Sequence, residues 1–497
     1  MRDNGPLKIG LAPIKRGTTR METALLQKQL ILQRMADITP ENVALVGIED
    51  VLPEGLLYCH DQVAAVEKAF KRAGVHALFL PHCDFGCEEV VGQLAKRMGV
   101  PVLIWGNRDP YPDYPGGKDR DTQCGTLAST KALQRYGVPF SYILNTDVED
   151  APLKRGFEDF CAVANVVRRF RGMRILLAGT RPQAFLSVIY NEDELLRRFG
   201  IEVYPWGSAA WLEAADRILA ERADEVTREM QAFARQVDVS DLTYERQRRQ
   251  AALVLALCEM AERHDIDGVA MECWSLLPER YGISGCQIVG QLCQRGLPCA
   301  CEGDVLGAVT AVMMQAAALD KEPVFFSDIT SRHPEQDNTE LLWHCGPYPP
   351  SLAHPDTPPK STFHGRGAFQ LKNGPITIAR LDAANGRYSL FSGEGRGVDG
   401  PPKKGNYVWL EVDCWADWEE KIVFGQQDIY DTKDLERGTV IAWLIPNAQK
   451  NEMEPILLEL SPGGATVLDN PHAGEEFGYV LSGSVQIELG NKTHKAK

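Results

Sequence analysis

The sequence predicts an α/β protein with two parallel-sheet α/β domains, followed by an antiparallel β domain and a short final β segment. Three observations carry this prediction. Apolar runs of strand length alternate with amphipathic helical stretches through the first third of the chain. The same alternation resumes at Arg174, and from about Asp337 it gives way to Pro, Gly and short β-type runs.

The first domain, residues 1–165, starts with a strand-like run at 7–13. Further strand-like runs at 43–48, 77–80 and 101–105 are separated by helical stretches at 21–36, 61–73 and 88–98. Strands that alternate with helices in this way form parallel, Rossmann-like sheets covered by helices.

The second domain, residues 166–330, opens with a strand at 174–177 after a basic helix at 157–170. Its predicted strands are 201–204, 268–271, one at Cys299 and a last one at 324–326. Its predicted helices are 214–237, 243–264 and 307–318, and a further run at 286–294 fits either a strand or a helix. The antiparallel β domain, residues 331–425, has strands at 376–381, 388–391 and 407–412, and residues 426–497 form a separate β-rich unit.

Composition restricts the class of protein. The 497 residues carry a formal net charge of -15, which disfavours broad binding to nucleic acid or anionic membranes. No apolar run is long enough to span a membrane, and the N-terminus lacks the apolar core of a signal peptide. Thirteen cysteines, scattered through apolar segments, are typical of reduced thiols. We therefore expect a cytoplasmic protein.

Acidic residues follow two neighbouring apolar runs, where each predicted strand ends. Glu272 comes after 268–271, and Glu302 and Asp304 come after Cys299. Ligands of open α/β sheets collect beyond the carboxyl ends of strands, so we expect these acids to share one site. Converging carboxylates hold hard divalent cations and exchange protons with substrates. This pair of turns is the candidate catalytic centre.

Other interpretations of this region stay open. Glu302 and Asp304 precede a predicted helix and are also suited to cap its N-terminus. The neighbouring cysteines lack the paired spacing of tight zinc sites, so buried packing is the better interpretation for Cys286, Cys293, Cys299 and Cys301. His344, beside Trp343, is more often a packed, hydrogen-bonded residue than a ligand.

Several phrases, in order along residues 7–425, resemble short members of the L-fucose isomerase and L-arabinose isomerase superfamily. They are 8–13 with Arg16-Gly17, Trp105-Gly106, Cys124-Gly125, 179–182, Glu272, 302–310, 325–328, 344–346 and 374–380. The resemblance implies an aldose–ketose isomerase, an intramolecular oxidoreductase that acts on a small sugar through a cis-enediol. It also implies Mn²⁺ or another divalent cation and a homo-oligomer, either a trimer or a hexamer.

The resemblance also assigns residues. Glu272 and Asp304 match the acids that bind the cation and transfer the proton, with Glu302 as the alternative second acid. His344 is the available third ligand. By the same resemblance, the sugar contacts are Arg16, Trp105, Cys124 and Arg181.

The C-terminal part departs from the superfamily pattern. Superfamily members carry a histidine phrase after a segment like 418–425, whereas this chain has no further histidine until His472. Residues 455–483 resemble the first motif of a cupin, with His472, Glu475 and Glu476 in place of a metal-binding His-x-His pair. We interpret 426–497 as a truncated cupin-like segment. The missing phrase favours an alternative function, a catalytically impaired carbohydrate-binding or regulatory protein that retains the isomerase fold.

Overall fold

The computed structural model describes residues 5–110, 120–384 and 386–424, together with two strands at Val485–Leu489 and Lys492–Ala496. The chain divides into two units, Met1–Ala448 and Gln449–Lys497. The proposed cupin motif, with His472, Glu475 and Glu476, lies outside the described residues, as does the sequence that replaces the histidine phrase.

The N-terminal sheet consists of five parallel strands in the order β2-β1-β3-β4-β5. The strands are β1 (Leu7–Leu11), β2 (Val43–Val46), β3 (Ala77–His82), β4 (Val102–Gly106) and β5 (Ser141–Tyr142). The accompanying helices are α1 (Met21–Ile38), α2 (His60–Ala73), α3 (Glu88–Met98), α4 (Thr122–Tyr136) and α5 (Ala151–Phe170). β3 and β4 are buried along their whole length, as expected for strands covered by helices on both faces.

The second sheet is also parallel, with the strand order β7-β6-β8-β9. Its strands are β6 (Arg174–Ala178), β7 (Glu202–Trp206), β8 (Gly268–Met271) and β9 (Cys299–Cys301). Its helices are α6 (Glu192–Glu194, continued by a π-helical turn at Leu195–Phe199), α7 (Ser208–Glu221), α8 (Ala223–Ala234), α9 (Tyr244–Arg263), α10 (Leu276–Tyr281), α11 (Cys286–Gln294) and α12 (Val305–Ala317). The two parallel sheets confirm the predicted fold class.

Two predicted elements of the second α/β region differ in the structure. The long helix expected at 214–237 is two helices, because the backbone leaves the helical region at Arg222 (φ -129°, ψ 45°). The strand expected at 324–326 is absent, and the next strand begins at Asp328 in a different sheet. The apolar character of Phe325 and Phe326 serves side-chain packing, since each contacts a hydrophobic core without strand pairing.

The β domain is a seven-stranded sheet with strand order β10-β11-β16-β13-β12, which the hairpin β14-β15 joins through β16. Its strands are β10 (Asp328–Arg332), β11 (Thr339–His344), β12 (Lys360–Ser361), β13 (Gly367–Gln370), β14 (Gly374–Ala384), β15 (Arg387–Val398) and β16 (Asn406–Glu411). Its pairs are antiparallel except β13 with β16, so the sheet is mixed. A helix that the sequence reading missed, α13 (Trp415–Phe424), follows β16.

The β14-β15 hairpin packs on α12 of the second α/β region. The backbone N–H of Leu381, on β14, donates to the Thr310 hydroxyl at 2.9 Å, and Leu381 is fully buried there. This contact holds the β domain against α12, the helix that follows β9.

In the second unit, the strands β17 (Val485–Leu489) and β18 (Lys492–Ala496) form an antiparallel hairpin. Among the helices that the structure describes, none combines the length and apolar character needed to cross a membrane.

Candidate functional site

The predicted acidic turns lie at the topological switch point of the second sheet. The chain places β7 on one side of β6 and β8 on the other, so a crevice opens beyond the carboxyl ends of β6 and β8. Such crevices are the usual ligand sites of open α/β sheets. Gly179 and Thr180 follow β6, and Glu272 follows β8.

Backbone hydrogen bonds tie the strand ends together. The N–H of Glu272 donates to the carbonyl of Ala178 at 2.9 Å. The carbonyl of Met271 accepts from the N–H groups of both Glu302 (3.1 Å) and Gly303 (3.0 Å). The two acidic turns are therefore neighbours, as the sequence predicted.

Glu272 is held by three donors. Its Oε2 accepts from the Thr180 backbone N–H (3.2 Å) and the Ser208 hydroxyl (3.1 Å), and its Oε1 accepts from the Ser275 hydroxyl at 3.0 Å. The side chain is 8% exposed. A carboxylate offers about four lone-pair sites, so roughly one acceptor position remains for a ligand.

Gly179 makes room for the Glu272 side chain. Its φ is +92°, in the region that L side chains rarely adopt, and an added Cβ would lie 2.5 Å from Glu272 Oε2 and 2.6 Å from Glu272 Cβ. Glycine at the end of β6 is therefore needed for the observed position of Glu272.

Asp304 serves as the N-cap of α12. Its Oδ1 accepts from the Gly307 N–H at 2.9 Å, and its Oδ2 accepts from Nη1 of Arg380 on β14. Asp304 is 2% exposed, so both oxygens are taken up by protein partners in a buried setting. This is the capping role that the sequence left open, and its assignment as a cation ligand stays a prediction.

Glu302 is the more accessible acid of its turn. It has a positive φ of 63°, is partly buried, and accepts at Oε1 from the Trp274 indole N–H at 3.0 Å. Burial raises the pKa of the Glu302 carboxyl, and the Trp274 hydrogen bond and nearby His344 oppose that increase only in part. A carboxyl with a raised pKa is suited to exchange protons near neutral pH.

His344, at the end of β11, faces this turn from the β domain. Its Nδ1 lies 2.9 Å from the Cys345 backbone N and 3.3 Å from the Cys345 Sγ, and its Nε2 lies 3.9 Å from Asp328 Oδ2. Burial opposes a charge on this ring, but Cys345, Asp328 and Glu302 together raise the pKa of His344 above its ordinary value. These neighbours therefore favour the protonated form of the ring relative to a free imidazole.

These side chains, as arranged, do not fit a resident divalent cation. Within the described ranges, no three His, Cys, Asp or Glu side chains are grouped closely enough to hold a metal ion. A neutral His344 whose Nδ1 accepts the Cys345 N–H carries its proton on Nε2, so neither nitrogen offers a free lone pair. Binding would require Glu272 and His344 to exchange their present partners, and the Mn²⁺ assignment stays a prediction.

Arg181 borders the acidic turns through its backbone. An added Cβ at Gly303 would lie 2.9 Å from the Arg181 N, so the loop after β6 touches the turn after β9. The Arg181 guanidinium donates to three carbonyls of its own loop, those of Pro182, Gln183 and Phe185. It stabilises that loop, and a role in binding sugar stays a prediction.

The other three predicted sugar contacts lie in the N-terminal α/β region. The Arg16 guanidinium lies 4.2 Å from the centre of the Phe85 ring. Cys124 is exposed on α4, and the next residue, Gly125, packs against the Phe85 carbonyl. Trp105 is fully buried in the core and donates to the Thr146 hydroxyl at 3.3 Å. In this conformation Trp105 offers no surface to a ligand, and the substrate roles of all three residues stay predictions.

The sequence reading missed several groups that build the site. Ser208 is the first residue of α7, just after β7, and Ser275 precedes α10. Polar residues at the carboxyl ends of parallel strands were an available signal for both. Arg380 and Asp328 lie in the segments 374–380 and 325–328, where the family resemblance assigns a role to neither residue.

Comparison with known proteins bears on this geometry. Residues 10–171 match the family described as fucose/sulfoquinovose isomerase, N-terminal domain. A sulfoquinovose isomerase of Priestia aryabhattai is 22% identical over 408 residues, covering 80% of this chain and 88% of that protein. A sulfoquinovose isomerase of Clostridium sp. (strain MSTE9) is 27% identical over 386 residues, covering 71% of this chain and 82% of that protein.

Among solved structures, a solute-binding protein from Actinobacillus succinogenes 130z with bound D-allose is 12% identical and covers 64% of this chain and 93% of that one, with a TM-score of 0.16.

Proposed function

We propose that this chain, which is similar to fucose/sulfoquinovose isomerases, is a sugar isomerase with its reaction centre at Glu272, Glu302 and His344. The observation that carries the proposal is the backbone link between the two acidic turns. It holds a fixed carboxylate, Glu272, next to a partly exposed one, Glu302, at a sheet switch point.

Isomerisation of an aldose to a ketose moves one proton from C2 to C1 and another from O2 to O1. We assign the carbon-to-carbon transfer to Glu302, because its raised pKa and partial exposure suit a group that takes up a proton and returns it. The remaining acceptor position of Glu272 can receive a sugar hydroxyl. The Nε2–H of His344 can donate to the substrate oxygens, on which negative charge develops in the cis-enediol.

Trp274 offers a binding surface beside Glu302. Its indole is 55% exposed, donates to Glu302 and has the Phe185 ring edge-on at 4.7 Å. An amphipathic ring of this kind can cover the C–H face of a sugar while its N–H fixes the neighbouring acid. We propose that Trp274 positions the sugar over the Glu302 carboxyl.

The test is turnover in D₂O, with L-fucose, L-arabinose and sulfoquinovose as substrates and NMR detection of the ketose. We expect one of these sugars to be converted, with deuterium at C1 of the product because an exposed carboxyl exchanges its proton with solvent. Glu302→Gln should lower kcat by roughly 10²–10⁴-fold, as expected for loss of a proton-transfer group. The matched control is Glu213→Gln, an exposed glutamate on α7, which should leave kcat unchanged.

The second candidate function is carbohydrate binding without turnover. The observation that favours it is the engagement of the Glu272 and Asp304 oxygens by internal donors. Sugar binding by calorimetry that Trp274→Ala weakens, with no ketose from any sugar, would establish this alternative and contradict the isomerase proposal.

The proposal also includes a cation, an oligomeric state and a cellular location. A divalent cation, Mn²⁺ by family resemblance, would polarise the sugar oxygens when bound. A trimer or hexamer is likewise taken from the resemblance, whereas a cytoplasmic location is proposed from the composition and the cysteine pattern. Sedimentation analysis of the full chain tests the oligomer directly.

A further inference from the structure

Two cysteines meet where the second α/β region contacts the β domain. Cys286 is the first residue of α11, and Cys345 directly follows β11, 59 positions later in the chain. Their Sγ atoms are 2.9 Å apart. A disulfide has an S–S bond of about 2.05 Å, so only a small movement separates this contact from a covalent bond.

The two thiols differ in access. Cys286 is 3% exposed, whereas Cys345 is partly exposed and lies 3.3 Å from the imidazole Nδ1 of His344. A small oxidant can therefore reach Cys345, and Cys286 is already in place to resolve the oxidised sulfur. This combination of an accessible thiol and an adjacent resolving thiol is typical of redox-sensitive pairs.

We propose that Cys286 and Cys345 form an oxidative modification site, at which a hydroperoxide converts the two thiols into a disulfide. The Cys345 sulfur attacks the peroxide, the O–O bond breaks, and the thiol proton leaves with the departing oxygen as water or alcohol. The Cys286 sulfur then attacks the sulfenic acid, the S–S bond forms, the S–O bond breaks and water leaves. Two electrons pass from the sulfur pair to the peroxide.

The modification has a defined structural effect. It links α11 covalently to the segment after β11 and removes the thiol that contacts His344. The inference does not depend on isomerase activity, because the chemistry involves only the two sulfur atoms and the oxidant.

Peptide mapping of the full chain tests the proposal. The native protein is treated with hydrogen peroxide, free thiols are alkylated, and trypsin releases Cys286 in peptide 281–295 and Cys345 in peptide 333–360. We expect a cross-linked pair of these peptides, lighter than their sum by two hydrogen atoms and split by dithiothreitol. Fragment ions must place the bond at Cys286, since Cys293 lies in the same peptide.

Serine variants make the assignment specific. Cys286→Ser and Cys345→Ser should each abolish the cross-linked pair, and Cys414→Ser, a control at another partly buried cysteine, should retain it in full. Absence of the pair in native wild type, with Cys345 still open to alkylation after peroxide, would overturn the proposal. A cross-link that forms equally well in unfolded wild type, or persists in Cys286→Ser, would overturn it as well.

Discussion

Arg380 donates from Nη1 to Oδ2 of Asp304, and this ion pair joins the β14 strand to the N-terminus of α12. The Asp304 side chain is 3% exposed and the Arg380 side chain 32% exposed. The pair therefore holds a buried carboxylate whose other oxygen caps a helix. It couples the β domain to the turn that carries Glu302.

Arg380→Ala should destabilise the protein by roughly 2–4 kcal/mol, because it leaves the Asp304 charge buried without its partner. The estimate lies toward the lower end of such losses, since the partly exposed guanidinium leaves an opening through which water can reach the carboxylate. Urea denaturation measures the change. Arg387→Ala, at an exposed position of the same hairpin, is the control and should change stability by less than about 0.5 kcal/mol. Equal effects of the two substitutions would contradict a structural role for the ion pair.

Gly179→Ala should destabilise the chain by about 2–3 kcal/mol and displace Glu272. The alanine must adopt a φ of +92°, and its Cβ would contact the Glu272 side chain. Thermal unfolding reports the stability loss, and the sugar assay reports the displacement. Gly207→Ala is the matched control, because its φ is -59° and an added Cβ there meets no atom within 4 Å. Wild-type stability of Gly179→Ala would show that Glu272 is not held against Gly179.

Titration of the Glu302 carboxyl should lower the free energy of unfolding as the pH rises. Burial raises its pKa above the unfolded value, so between the two pKa values the folded chain binds more protons than the unfolded chain. This contribution is fully present below the unfolded pKa and is lost as the pH rises through the folded pKa. Glu302→Gln keeps an oxygen that can accept from Trp274 and removes the titration.

The measurement is Tm from about pH 4 to about pH 7. The wild type should lose more Tm over this range than Glu302→Gln, and Glu213→Gln should follow the wild type. Parallel curves for wild type and Glu302→Gln would show that the pKa of Glu302 is not raised by folding.

The cation expected from the resemblance is tested by Mn²⁺ titration after chelator treatment. A ligand that binds only the folded state raises Tm by mass action, so bound Mn²⁺ should give a saturable rise. If Glu272 is a ligand, Glu272→Gln should abolish that rise and Glu213→Gln should keep it. The same response in wild type and Glu272→Gln would exclude Glu272 as a ligand. The three hydrogen bonds that Glu272 must partly release predict weak affinity.

Local patterns predicted much of the fold. The helix at Glu88–Met98 and the strand at Gly268–Met271 have the bounds that periodicity predicts, because their apolar spacing and flanking residues are strong signals. The break at Arg222 was missed, since its causes include ion pairs to Glu225 and to Glu259, which belongs to another helix. Local sequence spacing cannot identify an ion-pair partner that lies 37 positions away.

The contacts of the candidate site also include some that local patterns predicted and others that they did not. Adjacent strand ends predicted that Glu272 and Glu302 are neighbours, because parallel strands end at one edge of a sheet. The partners of Asp304 and of Cys286 come from the β domain, through contacts across 76 and 59 positions. These depend on how the β domain packs on α12, which local periodicity does not encode.

The shared acceptor at Met271 has a mechanical consequence. The Met271 carbonyl receives the N–H groups of both Glu302 and Gly303, and the same peptide group contains the Glu272 N–H, which donates to Ala178. A displacement of either turn must therefore rotate this peptide plane. We expect a ligand at one acid to change the protection of the other turn, measurable as deuterium uptake at the amides of residues 302 and 303.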